Sequence, residues 1–225
     1  MSADVAQPRS SKGEQTRELI LGTALRLFRE NGYDATTMRV IAQEAGVSVG
    51  NAYYYFASKE HLIQAFYDSL ISQHRVVARP RLEGVRDLST RLRITVASHI
   101  ELMQPYHAFA GGFFKTAADP TSPLSPFSTE STPARTEEVA FFREVLDGSD
   151  AKIPRQLRAE LPELLWLFHM GVVMYWVHDT SEGVTRTFEL IDRAAPLVVK
   201  LIGLTRLPGT KGVLDDVLAL LHALR

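Results

Sequence analysis

The spacing of apolar residues along this chain predicts helices almost everywhere and very few strands. Near the N-terminus, apolar residues recur every three to four positions in 19–28 and again in 38–45, which places them on one face of a helix. Gly32 and Gly46 follow these two segments. Because glycine adopts the left-handed conformation that often follows a helix, these glycines mark the two helix ends.

Hydroxyl side chains mark the starts of the next helices. A Ser or Thr at the first position accepts a backbone N–H group that the helix leaves unpaired. The predicted starts are Thr36 or Thr37 for the second helix, Ser48 for a third that ends at Phe56, and Ser58 for a fourth that runs from Lys59 towards Arg79.

Helical spacing continues through the rest of the chain, with a predicted break at Pro80 and Gly84. Residues 119–134 contain four prolines among Ser and Thr, and this composition predicts a long loop. The pattern therefore predicts an all-α fold with a small N-terminal unit and a larger helical body. The helices predicted for the body are 85–104, 106–118, 134–146, 154–178, 184–204 and 213–224.

Composition and charge narrow the class of protein. With 45% apolar and 23% charged residues among 225, the chain is globular rather than disordered. The net charge of −1 gives no overall basic field, so any binding to nucleic acid must use a local surface. The absence of cysteine excludes a disulfide scaffold, a thiolate metal site and a cysteine nucleophile, and it favours a cytoplasmic location.

No segment looks suited to export or to membrane insertion. Residues 1–18 are polar and lack the apolar core of a signal peptide. The most apolar run, Leu164–Val177, has 14 residues and is interrupted by His169, whereas a membrane span needs about 20. We therefore expect a loose N-terminal tail and no membrane partner.

The segment 37–56, TMRVIAQEAGVSVGNAYYYF, has the form of two short helices joined by a glycine turn. Small residues allow the helices to cross closely, and apolar residues hold the second helix at its angle. The remaining face of that helix is nearly uncharged and suits close approach to a phosphate or a base edge. The small residues are Ala42, Gly46 and Ala52; the apolar contacts are Ile41, Ala45, Val47 and Tyr55; the outward residues are Val49, Gly50, Asn51, Tyr53 and Tyr54.

The run from Thr16 to Leu70 resembles the TetR family of transcriptional regulators, above all in NGYDATTMRVIAQEAGVSVGNAYYYFASKEHL. One departure is Tyr55, where the family often has His. The resemblance implies a helix-turn-helix DNA-binding domain at 13–59 after a flexible tail at 1–12. It further implies a connecting helix at 60–79 and a ligand-binding and dimerisation domain at 80–225.

The resemblance also implies roles for individual residues. The positions that would contact phosphates are Thr37, Arg39, Tyr53, Tyr54 and Lys59, and those that would enter the major groove are Ser48, Val49, Gly50 and Asn51. Residues 9–59 contain seven Lys and Arg against five acidic residues. This small positive surplus suggests that two subunits are needed for useful affinity.

For the body, the resemblance implies a pocket for a small-molecule effector. We expect it to bind a mostly apolar, aromatic or amphipathic compound, with 119–133 as either a lid or a plain connector. The alternative is that the same side chains form an ordinary aromatic core. The candidate ligand-binding residues are Met103, His107, Phe113, Trp166, His169 and Met170.

The last two long helices are apolar almost all round, so they need cover on every side. The resemblance implies that they form a four-helix interface in a homodimer. We expect Trp176, Ile191, Val198 and their neighbours at the contact. The alternative is that both helices lie at the centre of a monomer.

The sequence thus predicts a ligand-responsive regulator, a repressor, that binds a palindromic operator in double-stranded DNA as a homodimer. The alternative is a helical small-molecule-binding or catalytic protein with no specific DNA target. No cofactor and no catalytic residue are predicted. The histidines have no recognised ligand spacing, so no metal site is predicted either.

Overall fold

The computed structural model describes residues 11–206, together with Gly212, Asp216 and Ala219. All regular structure within these residues is helical, which confirms the predicted all-α class. The predicted tail and the predicted helix 213–224 fall largely outside the described residues. The helices are α1 (Lys12–Asn31), α2 (Met38–Glu44), α3 (Val49–Tyr55), α4 (Lys59–Leu82), α5 (Leu88–Met103), α6 (His107–Ala117), α7 (Thr132–Asp147), α8 (Arg155–His178) and α9 (Thr185–Leu204).

Most of the predicted helix starts in the N-terminal part are confirmed. The hydroxyls of Thr37 and Ser48 accept backbone N–H groups three residues further on, at 3.2 and 3.1 Å. Gly32 ends α1 with a φ of 84°, a conformation that glycine adopts at little cost. Ser58 precedes α4 but makes no such cap, because its hydroxyl is 3.0 Å from the ring of His61.

Three boundaries differ from the prediction. Helix α4 continues through Pro80 to Leu82, since a proline in the last turn removes only one hydrogen bond near the helix end. Helix α5 begins at Leu88 rather than at 85, because the carboxylate of Asp87 accepts the N–H of Thr90 at 2.8 Å and sets the start. Helix α7 begins two residues early because proline fits the first turn of a helix.

The segment 119–131 between α6 and α7 consists of successive turns that pack on the protein. Leu124 is completely buried within it. From α4, the amide of Gln64 donates to the carbonyl of Pro123 at 2.7 Å, and the hydroxyl of Tyr67 donates to that of Leu124 at 3.3 Å. This packing favours a fixed wall over a loose connector.

The apolar residues form two cores. One lies among α1–α3 and the start of α4, and the other lies among the end of α4 and α5–α9. Phe109 and Ala117 of α6, with Leu124, belong to the first core. The ring of Phe109 stacks on that of Phe28 with 5.8 Å between centroids. The N-terminal unit is therefore completed by a helix of the body.

A buried arginine joins the ends of two helices. The guanidinium of Arg91 donates to the carbonyls of Leu82 (3.1 Å) and Val85 (2.7 Å) at the end of α4, and to that of Val145 (2.7 Å) at the end of α7. Carbonyls at helix C-termini lack partners within the helix and attract positive charge. Arg91 therefore holds these two helix ends together.

Candidate nucleic-acid interface and cavity

Helices α2 and α3 cross as the helix-turn-helix prediction requires. The small and apolar residues at the crossing, Ile41, Ala42, Ala45 and Ala52, are all buried. Val47 and Tyr55 are partly buried against the same core. The contacts predicted to fix the angle of α3 are therefore confirmed.

The outer face of α3 is exposed and carries large side chains. Tyr54 is 81% exposed, Tyr53 50% and Val49 41%. A side chain added at Gly50 would meet no atom within 4 Å, so another molecule can approach the backbone closely there. Asn51 is half-buried.

The basic side chains near α3 differ in whether they are already bound to other groups of the protein. Arg39 is exposed and makes no hydrogen bond or ion pair within residues 11–206. Lys59 donates to the carbonyl of Tyr33 at 2.8 Å and lies 4.3 Å from the centre of its ring, so its ammonium is held at the start of α4. Arg26 is paired with Glu30 (2.9 Å) and Glu44 (3.1 Å). Of these three basic residues, Arg39 is therefore the one most available to bind a phosphate.

A cavity of about 480 Å³ lies in the body among α4, α5, α6, α7, α8 and the segment 125–131. Its size is within the usual range for small-molecule sites, roughly 300–1,000 Å³. Four of the six predicted ligand-binding residues line it: Met103, Phe113, Trp166 and Met170.

The other two predicted residues, His107 and His169, do not line the cavity. The Nε2 atom of His107 donates a hydrogen bond to the carbonyl oxygen of Trp176 at 2.8 Å. His169 is completely buried behind His99, with 2.9 Å between His99 Nδ1 and His169 Nε2. The helical pattern placed both on apolar helices but gave no indication of which imidazole faces the open space.

Besides tyrosine and serine side chains, three residues with a charged or imidazole group line the cavity: His99, Glu138 and Arg135. The Arg135 guanidinium donates to the carbonyl of Pro126 at 2.9 Å and lies 6.0 Å from the ring centre of Trp166. Sequence reasoning missed all three residues as ligand contacts. Glu138 and Arg135 lie on α7, whose charged residues gave no sign that one would be 4% exposed.

A buried polar cluster lies behind this wall. His74 Nδ1 is 3.3 Å from Glu138 Oε1, and His74 Nε2 is 2.8 Å from the carbonyl oxygen of Thr95. Burial lowers the pKa of His169 to about 3, and burial together with His169 lowers that of His99 well below its usual value. Both of these imidazoles are therefore neutral at physiological pH.

Helix α6 faces the cavity and the N-terminal unit at once. Phe109 and Phe113 both line the cavity. Phe109 stacks on Phe28, and Phe113 meets Tyr33 edge-on with 5.9 Å between ring centroids. A ligand that displaces these rings would press on the core that supports α2 and α3.

Helices α8 and α9 carry the exposed apolar residues expected of an interface, at neighbours of the named residues rather than at Trp176 and Ile191 themselves. Trp176 and Ile191 are 2% and 1% exposed and belong to the body core, and Val198 is half-buried. The helices turn these positions inward because α8 and α9 pack against α5 and α7. The exposed large apolar residues are Leu167 (40%), Met174 (55%) and Tyr175 (43%) on α8, and Leu197 (55%), Leu201 (54%) and Leu204 (50%) on α9.

Within the described part of the chain, no helix is long and apolar enough to cross a membrane.

A helix-turn-helix unit with an exposed reading face, joined to an all-helical body with an apolar cavity, defines the class of one-component transcriptional regulators. The family profile "Bacterial regulatory proteins, tetR family" matches residues 20–66. The profile "Tetracyclin repressor-like, C-terminal domain" matches residues 91–223. The chain belongs to the TetR family, as its sequence motifs predicted.

Curated relatives match over less than half of this chain. UidR of Escherichia coli K12, an HTH-type transcriptional regulator, is 39% identical over 77 residues, which are 33% of this chain and 38% of UidR. The transcriptional repressor KstR2 of Mycobacterium tuberculosis is 31% identical over 112 residues, 48% of this chain and 52% of KstR2. The chain thus matches well under two thirds of these relatives' length.

Solved structures match over most of the fold. The fatty acid degradation regulator FadR from Bacillus halodurans has a TM-score of 0.63 at 18% identity, covering 85% of this chain and 97% of that one. The repressor FadR of Thermus thermophilus, solved with lauroyl-CoA, has a TM-score of 0.60 at 20% identity, covering 80% and 92%. At such identities the likeness shows the fold alone.

Proposed function

We propose that this protein is a ligand-responsive transcriptional repressor that binds a palindromic operator as a homodimer and is released by a small apolar or amphipathic effector. The observation that carries the proposal is that α6 both lines the cavity and completes the core under the exposed face of α3. A bound ligand could therefore shift α6, and with it the core that holds α3 in the position needed to bind the operator. DNA as partner implies a cytoplasmic location.

We propose the following roles for the DNA-binding residues. Thr37, Arg39, Tyr53, Tyr54 and Lys59 contact phosphates, and Ser48, Val49, Gly50 and Asn51 enter the major groove. The exposure of Tyr53 and Tyr54 and the open space at Gly50 support it. Residues 13–59 act as the reading domain, 60–79 as the connecting helix and 80–225 as the sensing and dimerisation domain.

For the effector, we propose a compound with a long or aromatic apolar part and one polar group. The largely apolar wall supports the first feature, and Arg135, His99 and Glu138 at the wall support the second. Met103, Phe113, Trp166 and Met170 would contact the apolar part. The lauroyl-CoA bound by the Thermus relative makes dodecanoate and lauroyl-CoA reasonable first probes.

Selection of bound duplexes from a random DNA pool tests the DNA-binding proposal. We expect a near-palindrome whose half-sites lie about 34–36 Å apart or at a multiple of that distance. Enrichment of no sequence would favour the alternative, a helical small-molecule-binding or catalytic protein with no DNA target.

The salt dependence of operator binding tests the proposed phosphate contacts. Log affinity should fall linearly with log salt, and Arg39→Ala should reduce the slope by about one for each phosphate that Arg39 neutralises, while weakening all sequences alike. The matched control is Lys152→Ala, an exposed cation between α7 and α8, which should leave the slope unchanged. Equal slopes for wild type and Arg39→Ala would contradict the assignment.

A further inference from the structure

Four helices bring three histidines and a glutamate together beneath the cavity. His74 lies on α4, His99 on α5, Glu138 on α7 and His169 on α8. Their exposed fractions are 0%, 7%, 4% and 0%. Each comes from a different helix, so no local spacing in the sequence indicates the cluster. Facing helices of a bundle are where proteins often build metal sites.

The spacing of potential ligand atoms fits a small cation. One ring nitrogen of His74, one of His99 and a carboxylate oxygen of Glu138 all lie within 4.8 Å of one another. Zinc binds nitrogen at about 2.0–2.1 Å, so two ligands of a tetrahedral site are about 3.4 Å apart. The 3.3 Å between His74 Nδ1 and Glu138 Oε1 already has this value, and it is long for a charge-assisted hydrogen bond.

The outer partners orient the rings as they do in metal sites. A ligating histidine usually donates its other N–H to a carbonyl or another acceptor. His74 Nε2 does so to the carbonyl of Thr95 at 2.8 Å. Metal binding would displace the proton that Nδ1 shares with Glu138, and the lone pair of His74 would then lie on Nδ1. His99 Nδ1 is 2.9 Å from His169 Nε2. When Nδ1 donates this shared proton, the lone pair of His99 lies on Nε2.

Two buried atoms of the cluster lack a hydrogen-bond partner within the described part of the chain. They are Glu138 Oε2 and His169 Nδ1, which lie 3.9 Å apart. An unsatisfied buried carboxylate oxygen is costly. A cation bound to Glu138 would remove this cost, and it would draw the carboxylate into a fixed position beside His169.

We propose that His74, His99 and Glu138 bind one zinc ion, with Thr95 and His169 as outer partners. Two imidazoles and a carboxylate suit zinc better than magnesium or calcium, which prefer oxygen ligands alone. His99 and Glu138 also line the cavity, so the fourth coordination position faces open space. The proposal stands on this cluster and does not require that the protein bind DNA.

Metal titration of the full chain, stripped with chelator and free of DNA, tests the proposal. Calorimetry should find one Zn²⁺ per chain, and Co²⁺ in its place should give the visible bands of a tetrahedral ion. Glu138→Gln should weaken binding by at least ~10-fold, because removing a ligand costs no less than removing an outer partner. The control His178→Gln removes an exposed histidine and should leave the affinity unchanged.

A second variant keeps the test decisive if Glu138→Gln fails to fold. His99→Cys should bind Co²⁺ with a near-ultraviolet thiolate-to-metal band, and since the chain has no cysteine, such a band reports this site alone. Absence of both the wild-type bands and the thiolate band would overturn the proposal. So would binding that His178→Gln reduces as much as Glu138→Gln does. The cluster would then be a buried hydrogen-bonded group of His74 and Glu138 that binds no metal.

Discussion

At the scale of single residues, Arg91 is a buried cation whose hydrogen bonds all go to backbone carbonyls. Burial lowers its pKa, yet a guanidinium stays charged in proteins. Its planar fork reaches the ends of α4 and α7 at the same time, which the compact ammonium of lysine does not match. The planar shape of the Arg91 guanidinium is therefore as important as its charge for holding the two helix ends together.

Arg91→Lys should lower the free energy of unfolding by about 2–3 kcal/mol, because at least one hydrogen bond from a charged donor to a buried carbonyl is removed. The matched control is Arg86→Lys, which alters an exposed ion pair with Asp150 and should change stability by less than about 0.5 kcal/mol. Urea unfolding of the three proteins measures both effects. Equal stability of the two variants would contradict the role of Arg91.

Residues whose roles depend on near neighbours were predictable from the sequence. Ser48 caps α3 and Ile41 is buried under it because those contacts lie within one short segment. The polar cavity wall was not predictable in this way. His99 and His169 both lie on apolar helices, and only the packing of α5 against α8 decides which of the two faces the cavity.

At the scale of elements, α8 and α9 combine inward and outward apolar faces. Ile191 faces the core, whereas Leu197 and Leu201, four residues apart on α9, are more than half exposed. An all-round apolar pattern predicts that both faces need cover, but not which residues take which face. The exposed leucines and Met174 of α8 are the surface on which we propose that the second subunit packs.

Leu201→Asp should convert dimers to monomers, because it places a charge in a proposed apolar contact. Operator affinity should fall with it, since two reading helices are needed for one palindrome. Val76→Asp is the matched control: Val76 is 74% exposed on α4, and its change should leave the dimer intact. Sedimentation of both variants measures the outcome, and a wild-type chain that is monomeric at micromolar concentration would contradict the proposal.

At the scale of the whole molecule, the two cores meet at α6. Phe109 belongs to the N-terminal core and to the cavity wall, whereas Phe114, on the same helix, lines the cavity and meets His178 instead. A ligand can change operator affinity only through contacts that differ between the two states. Phe109 is placed to make such a contact, in addition to the connecting helix α4.

Phe109→Leu should reduce the factor by which dodecanoate weakens operator binding, bringing it below the ~5–150-fold that allosteric coupling usually gives. Phe114→Leu is the matched control. It should change the affinity for dodecanoate while keeping that factor. Gel shift with and without the probe measures both, and identical factors in the two variants would show that the coupling runs elsewhere.

The sharing of Phe109, Ala117 and Leu124 between the two parts also bears on protein engineering. Hybrid regulators are built by joining the reading head of one chain to the sensing body of another, and a junction near residue 80 looks convenient in the sequence. Such a hybrid would leave Phe28 facing a foreign α6. A working hybrid should therefore transfer the inward-facing residues of α6 and the turn around Leu124 together with the N-terminal unit. The transferred part would then keep the residues that complete its own core.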